Sequence, residues 1–83
     1  MKEGVREIPG KTISAVVVGS SDRHPKNQVI LVFDDGTSLE FYGEEFTCAG
    51  GVYDRGLDAA VAYVEKMGDL AAVYTVDGAE RES

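Results

Sequence analysis

The sequence predicts an α+β protein, with an antiparallel three- to four-stranded sheet in the order β-β-β-α-β and one helix packed on one face. Two observations indicate this class: runs of β-branched residues bounded by turn residues, and one amphipathic stretch at helical spacing before the last run. A length of 83 residues fits one small domain, residues 1–83. We expect residues 1–10 and 78–83 to be flexible ends.

Four runs rich in β-branched and aromatic residues are predicted to be strands. They are TISAVVV at 12–18, QVILVF at 28–33, TSLEFY at 37–42 and LAAVYTV at 70–76. The polar segment SSDRHPKN, which contains a proline, separates the first two runs and is predicted to be a loop.

The connection between the second and third strands is the turn sequence Asp34-Asp35-Gly36. A two-residue turn would place Leu31 opposite Glu40, whereas a three-residue loop brings the large apolar side chains together on one face. The three-residue loop pairs Phe33 with Thr37, Leu31 with Leu39 and Val29 with Phe41. Such a loop needs a left-handed residue, and Gly36 can supply it.

The helix is predicted from apolar residues that recur on one stripe. They are Leu57, Ala60, Val61, Val64 and Met67. We expect Asp54 to cap its N-terminus, Asp58 to suit the positive end of its dipole, and Gly68 to end it in a left-handed conformation.

One helix can cover only one face of the predicted sheet. We expect it to cover the face of Val29, Leu31, Phe33, Leu39 and Phe41, since these are the larger side chains. The far face would then remain apolar, and strands that are apolar on both sides are usually covered on both sides. The far-face residues, with two polar ones at the rim, are Val16, Val18, Ile30, Val32, Glu40 and Tyr42. They form the predicted interface with another copy or another protein. A homodimer or higher oligomer is expected, through contact of sheet faces or strand addition at an edge, although half-exposed valines also occur on ordinary antiparallel sheets.

The net charge is −7 and is unevenly distributed. Residues 1–33 carry five basic and three acidic side chains, and residues 34–83 carry three basic and twelve acidic ones. A negative field repels phosphate backbones and anionic bilayers, so we expect no binding to nucleic acid or membranes. The acidity can serve solubility alone, or docking to a basic protein partner, or mimicry of nucleic acid.

The segment CAGGVYDRGLD at 48–58 is the strongest candidate for a ligand loop, through Cys48, Gly50, Gly51 and Arg55. A reactive thiolate needs a nearby cation, histidine or helix N-terminus, and Cys48 precedes the predicted cap by six residues. The segment has no Gly-Lys-Ser/Thr of a phosphate-binding loop. The simpler interpretation is a flexible reversal of the chain into the helix, with Cys48 as a small semi-buried side chain.

No metal or cofactor is expected. Cys48 and His24 are the only cysteine and histidine, which excludes a zinc cluster, and the spacing of Asp22 and His24 does not by itself define a metal site. The longest apolar run, VILVF at 29–33, is too short for a membrane span or a secretion signal, so a cytoplasmic location is expected.

Three functional hypotheses follow. The first is a non-enzymatic binding or regulatory module that works as a homodimer through its exposed sheet face. The second is an acidic interaction module that docks on a basic partner with the helix and residues 34–45. The third is a small ligand-binding protein or enzyme with a pocket at the subunit interface, near Glu40, Tyr42 and the loop of Cys48.

Overall fold

A computed structural model describes residues 8–22, 27–45, 47–76 and 80–82. The elements are β1 (Ile13–Ser20), β2 (Asn27–Phe33), β3 (Ser38–Tyr42), β4 (Thr47–Tyr53), α1 (Leu57–Met67), β5 (Asp69–Thr75) and β6 (Glu80–Glu82). The strands form one sheet in the order β4-β3-β2-β1-β5-β6, with every pair antiparallel. The α+β class is therefore confirmed, whereas the predicted count of three to four strands is too low.

The hairpin between β2 and β3 has the predicted register. Leu31 pairs with Leu39 and Val29 with Phe41. The Phe33 amide donates to the carbonyl of Thr37 at 2.8 Å, which closes the three-residue loop. Gly36 has φ 86°, the left-handed conformation that this loop requires.

Strand β4 occupies much of the segment that the sequence indicates to be a flexible reversal. It pairs with β3 and contains a bulge, because Val52 pairs with Leu39 whereas Cys48 pairs with Phe41. Glycine is depleted in strands, so the intrinsic preference of this segment does not favour a strand. Its pairing with β3 stabilises the extended conformation of β4. Strand β6 lies within residues 78–83, where no strand is predicted, and it pairs with β5.

Helix α1 has the extent that its apolar spacing predicts, but neither end is formed as expected. Its N-cap residue is Gly56, in an extended conformation, and no side chain caps the helix, so the prediction of an Asp54 cap is wrong. Gly68 has φ −178°, which is extended and not left-handed. Its amide donates to the carbonyl of Val64 at 2.9 Å, which satisfies one carbonyl of the last turn.

The helix packs on the face of the sheet that was predicted to remain uncovered. The buried core is Ala15, Val17, Ile30, Val32, Ala60, Val64 and Val73. Val17 pairs with Ile30 and Ala15 with Val32, so these four residues share one face, here called the helix face. Ile30 is 0% exposed and Val32 is 2% exposed, so the predicted assignment of faces is wrong.

Small residues let α1 approach this face closely. Gly19 of β1 lies on the helix face opposite Gln28, and a Cβ atom at Gly19 would overlap Cγ1 of Val64. Ala60 of α1, which is fully buried, also has a small side chain and lets the helix backbone lie close to the sheet. Close packing between small groups therefore selects the covered face, although the larger side chains lie on the other one.

The segment before β1 is attached to the hairpin turn. The Lys11 ammonium forms an ion pair with Asp35 and lies 5.6 Å from the centroid of the buried Phe33 ring. The Asp34 amide donates to the carbonyl of Thr12 at 2.9 Å. These contacts fix residues 11 and 12 against the turn.

The Lys11–Asp35 contact predicts an acid-sensitive attachment. Hydrogen bonds from Lys11 and then Thr37 lower the pKa of Asp35 from 3.8 to about 2. The contact is therefore fully formed above pH 3.8 and is lost as the pH falls through about 2, where the folded carboxylate is protonated. Carboxyl NMR titration should show the pKa of Asp35 moving back towards 3.8 in Lys11→Met. An unchanged pKa would show that Lys11 does not hold this carboxylate.

Candidate functional site

The sheet face opposite α1, here called the open face, is apolar across three central strands. Val16 and Val18 of β1 pair with Leu31 and Val29 of β2, which places all four on this face. Strand β3 continues it with Leu39 and Phe41. All of these residues except the buried Leu39 are half-buried, so apolar surface is partly accessible.

The open face carries no charge in its centre. The residues of β1, β2 and β3 on this face include no Asp, Glu, Lys or Arg. Strand β5 extends it with Ala72 and with Tyr74, whose side chain is 45% exposed. At the edge of the sheet, Glu82 and Glu80 of β6 pair with Ala72 and Tyr74, so acidic residues flank the uncharged centre.

A second feature lies on the helix face, beside the core that α1 covers. Glu40 is 5% exposed and accepts a hydrogen bond of 2.9 Å from Nε2 of the buried Gln28. Ser38, also buried, precedes Glu40 by two residues on the same face. The bulge of β4 lies directly across from Glu40, and bulges often accompany functional sites.

Two tyrosines and one arginine form a group beside Ser38, the residue with which Tyr53 pairs. The guanidinium carbon of Arg55 is 4.2 Å from the centroid of the Tyr63 ring and 5.4 Å from that of the Tyr53 ring. Burial and then the charge of Glu40 raise the pKa of Tyr63, whereas Arg55 opposes them. We call Gln28, Ser38, Glu40, Tyr53, Arg55 and Tyr63 the polar cluster.

The six residues of the predicted interface do not form one surface. Val16 and Val18 lie on the open face, whereas Ile30 and Val32 lie in the core under α1. Glu40 and Tyr42 lie on the helix face as well, where Glu40 pairs with Ile30 and Tyr42 with Gln28. Tyr42 is 37% exposed, at the rim of the polar cluster.

The four residues of the predicted ligand loop do not form one site either. Cys48 is exposed and pairs with Phe41, a residue of the open face. The segment of β4 that contains Gly50 and Gly51 forms the bulge, and Arg55 follows in the connection to α1. Arg55 is therefore the member of this set that joins Glu40 in the polar cluster.

The sequence offers little evidence for the remaining members of the polar cluster. Gln28 is a polar residue at the start of an apolar run, which indicates a strand end as readily as a buried amide. Tyr63 lies beside the apolar stripe of α1, three residues after Ala60, a position that indicates a packing aromatic. The proximity of Gln28 to Glu40 follows from the register of β2 and β3, whereas that of Tyr63 depends on where the helix crosses the sheet.

An open depression of about 720 Å³ lies at the C-terminal end of α1, between the helix and β5. Glu65 and Asp69 supply its acidic side chains, and Ser20, Gly68, Leu70 and Ala71 complete its lining. No group of three or more potential metal ligands occurs in the described ranges, and His24 lies outside them.

The described part of the chain has no helix that is both long and apolar enough to cross a bilayer. Comparisons with protein-family models, curated proteins and solved structures found no match to this chain.

Proposed function

We propose that this protein is a small non-enzymatic binding module that works as a homodimer, with the open faces of two copies packed against each other. The observation that carries the proposal is the uncharged centre of the open face in a strongly acidic chain. A sheet face that is apolar over three neighbouring strands is usually covered in its working state. No helix among the described residues covers it.

The size of the face supports a second copy as the partner. The molecule is a slab of 32 × 31 × 18 Å. Its broad face is therefore on the order of 1,000 Å², and a standard interface buries about 800 Å² on each partner. Two twofold-related copies would present the same valines, leucines and aromatic rings to each other, as in a β-sandwich with about 10 Å between the sheets.

The charge distribution favours self-association over docking to a basic partner at this face. A basic partner would need acidic groups in the contact, and the centre of the open face has none. Two copies of net charge −7 repel each other at long range, and salt screens this repulsion. Added salt should therefore strengthen the dimer, whereas it would weaken a complex with a basic protein.

The proposal predicts that Leu31→Asp converts the dimer to a monomer that retains its fold. Leu31 is half-buried at the centre of the open face, so each protomer would place a charge against the apolar surface of its partner. Sedimentation velocity over a micromolar concentration range measures the mass, and circular dichroism checks the fold. The matched control is Ala62→Asp, which adds the same charge at an exposed position of α1 and should remain dimeric.

A milder pair of changes tests the same contact with less risk that the protein unfolds. Val16→Thr with Val29→Thr keeps the β-branched shape while it makes the open face more polar, and should weaken association by at least tenfold. A wild-type protein that is monomeric throughout the range would overturn the proposal. Dimers that persist in both Leu31→Asp and the threonine pair would also overturn it, because association would then use another surface.

A further inference from the structure

The carboxylate of Glu40 is buried without a cation beside it. In the described residues its side-chain hydrogen bond comes from Gln28, a neutral amide, and no described lysine or arginine forms an ion pair with it. Glu40 is 5% exposed, so few water molecules can reach its side chain. It therefore favours the approach of a cationic group that can donate hydrogen bonds.

Arg55 supplies a guanidinium to the polar cluster, where it contacts the two tyrosine rings. Its distances of 4.2 and 5.4 Å from the two tyrosine centroids lie within the range for cation–π attraction. Arg55 lies on the short connection between β4 and α1, outside both elements. Movement of its side chain therefore breaks no backbone hydrogen bond of the sheet or the helix.

The hydroxyl of Tyr63 is influenced by both charges. Burial raises its pKa most, Glu40 raises this pKa further, and Arg55 lowers it. Tyr53, which is 42% exposed, opens this pair of rings to solvent. The polar cluster therefore combines aromatic faces for stacking with a buried carboxylate, and these are the groups that recognise a guanidinium.

We propose that the polar cluster is a binding site for a guanidinium group from another molecule, and that Arg55 is its displaceable internal occupant. The ligand stacks between Tyr53 and Tyr63 and donates hydrogen bonds to Glu40, while Arg55 moves into solvent. The site lies on the helix face, opposite the proposed dimer contact. Failure of one proposal therefore leaves the other intact.

The test compares binding of capped arginine (N-acetyl-arginine methylamide) to the wild type and to Arg55→Ala. NMR shifts of the Tyr53 and Tyr63 ring protons measure binding. We expect Arg55→Ala to bind about tenfold more tightly or better, because a tethered side chain competes at an effective concentration in the millimolar range. Capped lysine should bind several-fold more weakly, since it lacks the planar group.

Two changes made in Arg55→Ala identify the groups that hold the ligand. Glu40→Gln keeps an acceptor for Gln28 but removes the charge, and should reduce affinity at least tenfold. Tyr53→Leu changes a largely exposed ring and should also weaken binding, which keeps the test valid if Glu40→Gln fails to fold. Equal affinity of wild type and Arg55→Ala, equal affinity for capped lysine, or binding that survives the loss of Glu40 and of Tyr53 would overturn the proposal.

Methylguanidinium distinguishes between two sources of the guanidinium group, a free compound and the side chain of a peptide or protein. Equal affinity for methylguanidinium and capped arginine supports a free guanidinium compound as the ligand. Much tighter binding of capped arginine supports the side chain of a peptide or protein. Absence of binding by both compounds, in wild type and in Arg55→Ala, contradicts the site. Sedimentation of the same variants should show no change in association.

Discussion

Replacing Ile30 by alanine is expected to lower the free energy of unfolding by about 3–4 kcal/mol, within the range for large-to-small core changes. Ile30 is 0% exposed and lies between β1 and β3 in the core under α1. The substitution leaves a cavity that this tightly packed region cannot close. Urea unfolding followed by circular dichroism measures the change.

The neighbouring residue of the same strand supplies the control. Leu31 lies on the open face and is half-buried, so Leu31→Ala should cost only about 1 kcal/mol in the monomer, because little cavity forms. Both variants must be measured at concentrations too low for association. Equal losses in the two variants would contradict the assignment of the helix to the face of Ile30.

Replacing Gly19 by alanine is expected to destabilise the protein by about 2–3 kcal/mol, as overpacking does in well-packed cores. The added Cβ would overlap Cγ1 of Val64, so α1 and β1 must separate or Val64 must change its position. Chemical unfolding of Gly19→Ala measures the loss. Adding Val64→Ala removes the overlapping atom, so the double variant should be more stable than the sum of the single losses indicates.

Two other glycines provide comparisons for the loss of stability expected in Gly19→Ala. A Cβ at Gly68 would lie 2.5 Å from the carbonyl oxygen of Ser20, a backbone atom that cannot rotate away, so Gly68→Ala should cost at least as much. A Cβ at Gly56 would lie 3.9 Å from its nearest neighbour, and Gly56 has φ −80°, so Gly56→Ala should change stability by less than about 0.5 kcal/mol. A neutral Gly19→Ala would show that the helix does not need this close approach.

The sequence contains strong local information about the hairpin and the helix. The register of β2 and β3 depends on side-chain alternation and on one glycine, and both are local features. The extent of α1 follows from apolar residues at helical spacing. These elements were predictable because few other arrangements satisfy their patterns.

The choice of covered face was not predictable from alternation, since both faces of β2 are largely apolar. Size favours Val29, Leu31 and Phe33 as the core, yet the helix packs over Ile30 and Val32. The informative feature is the small size of two residues in the elements that meet at this face. Gly19 in β1 and Ala60 in α1 mark the closest approach of helix and sheet.

The polar cluster was only partly predictable. Glu40 and Arg55 are recognisable as polar groups of interest, and one hypothesis places Glu40 near the loop that contains Arg55, but in a pocket at a subunit interface. Their proximity through Tyr63 depends on the path of α1 across the sheet and on the pairing of β4, which no local pattern encodes. The same pairing explains why the strand containing Gly50 and Gly51 was missed.

The bulge in β4 also limits how large an assembly this chain can form. Pairing between sheet edges can add copies without end and lead to fibres, and an irregular edge strand is a poor template for such growth. Contact between two identical broad faces, in contrast, is complete when two copies have met. Polymerisation is thus disfavoured at this edge, and the proposed contact gives a particle of defined size.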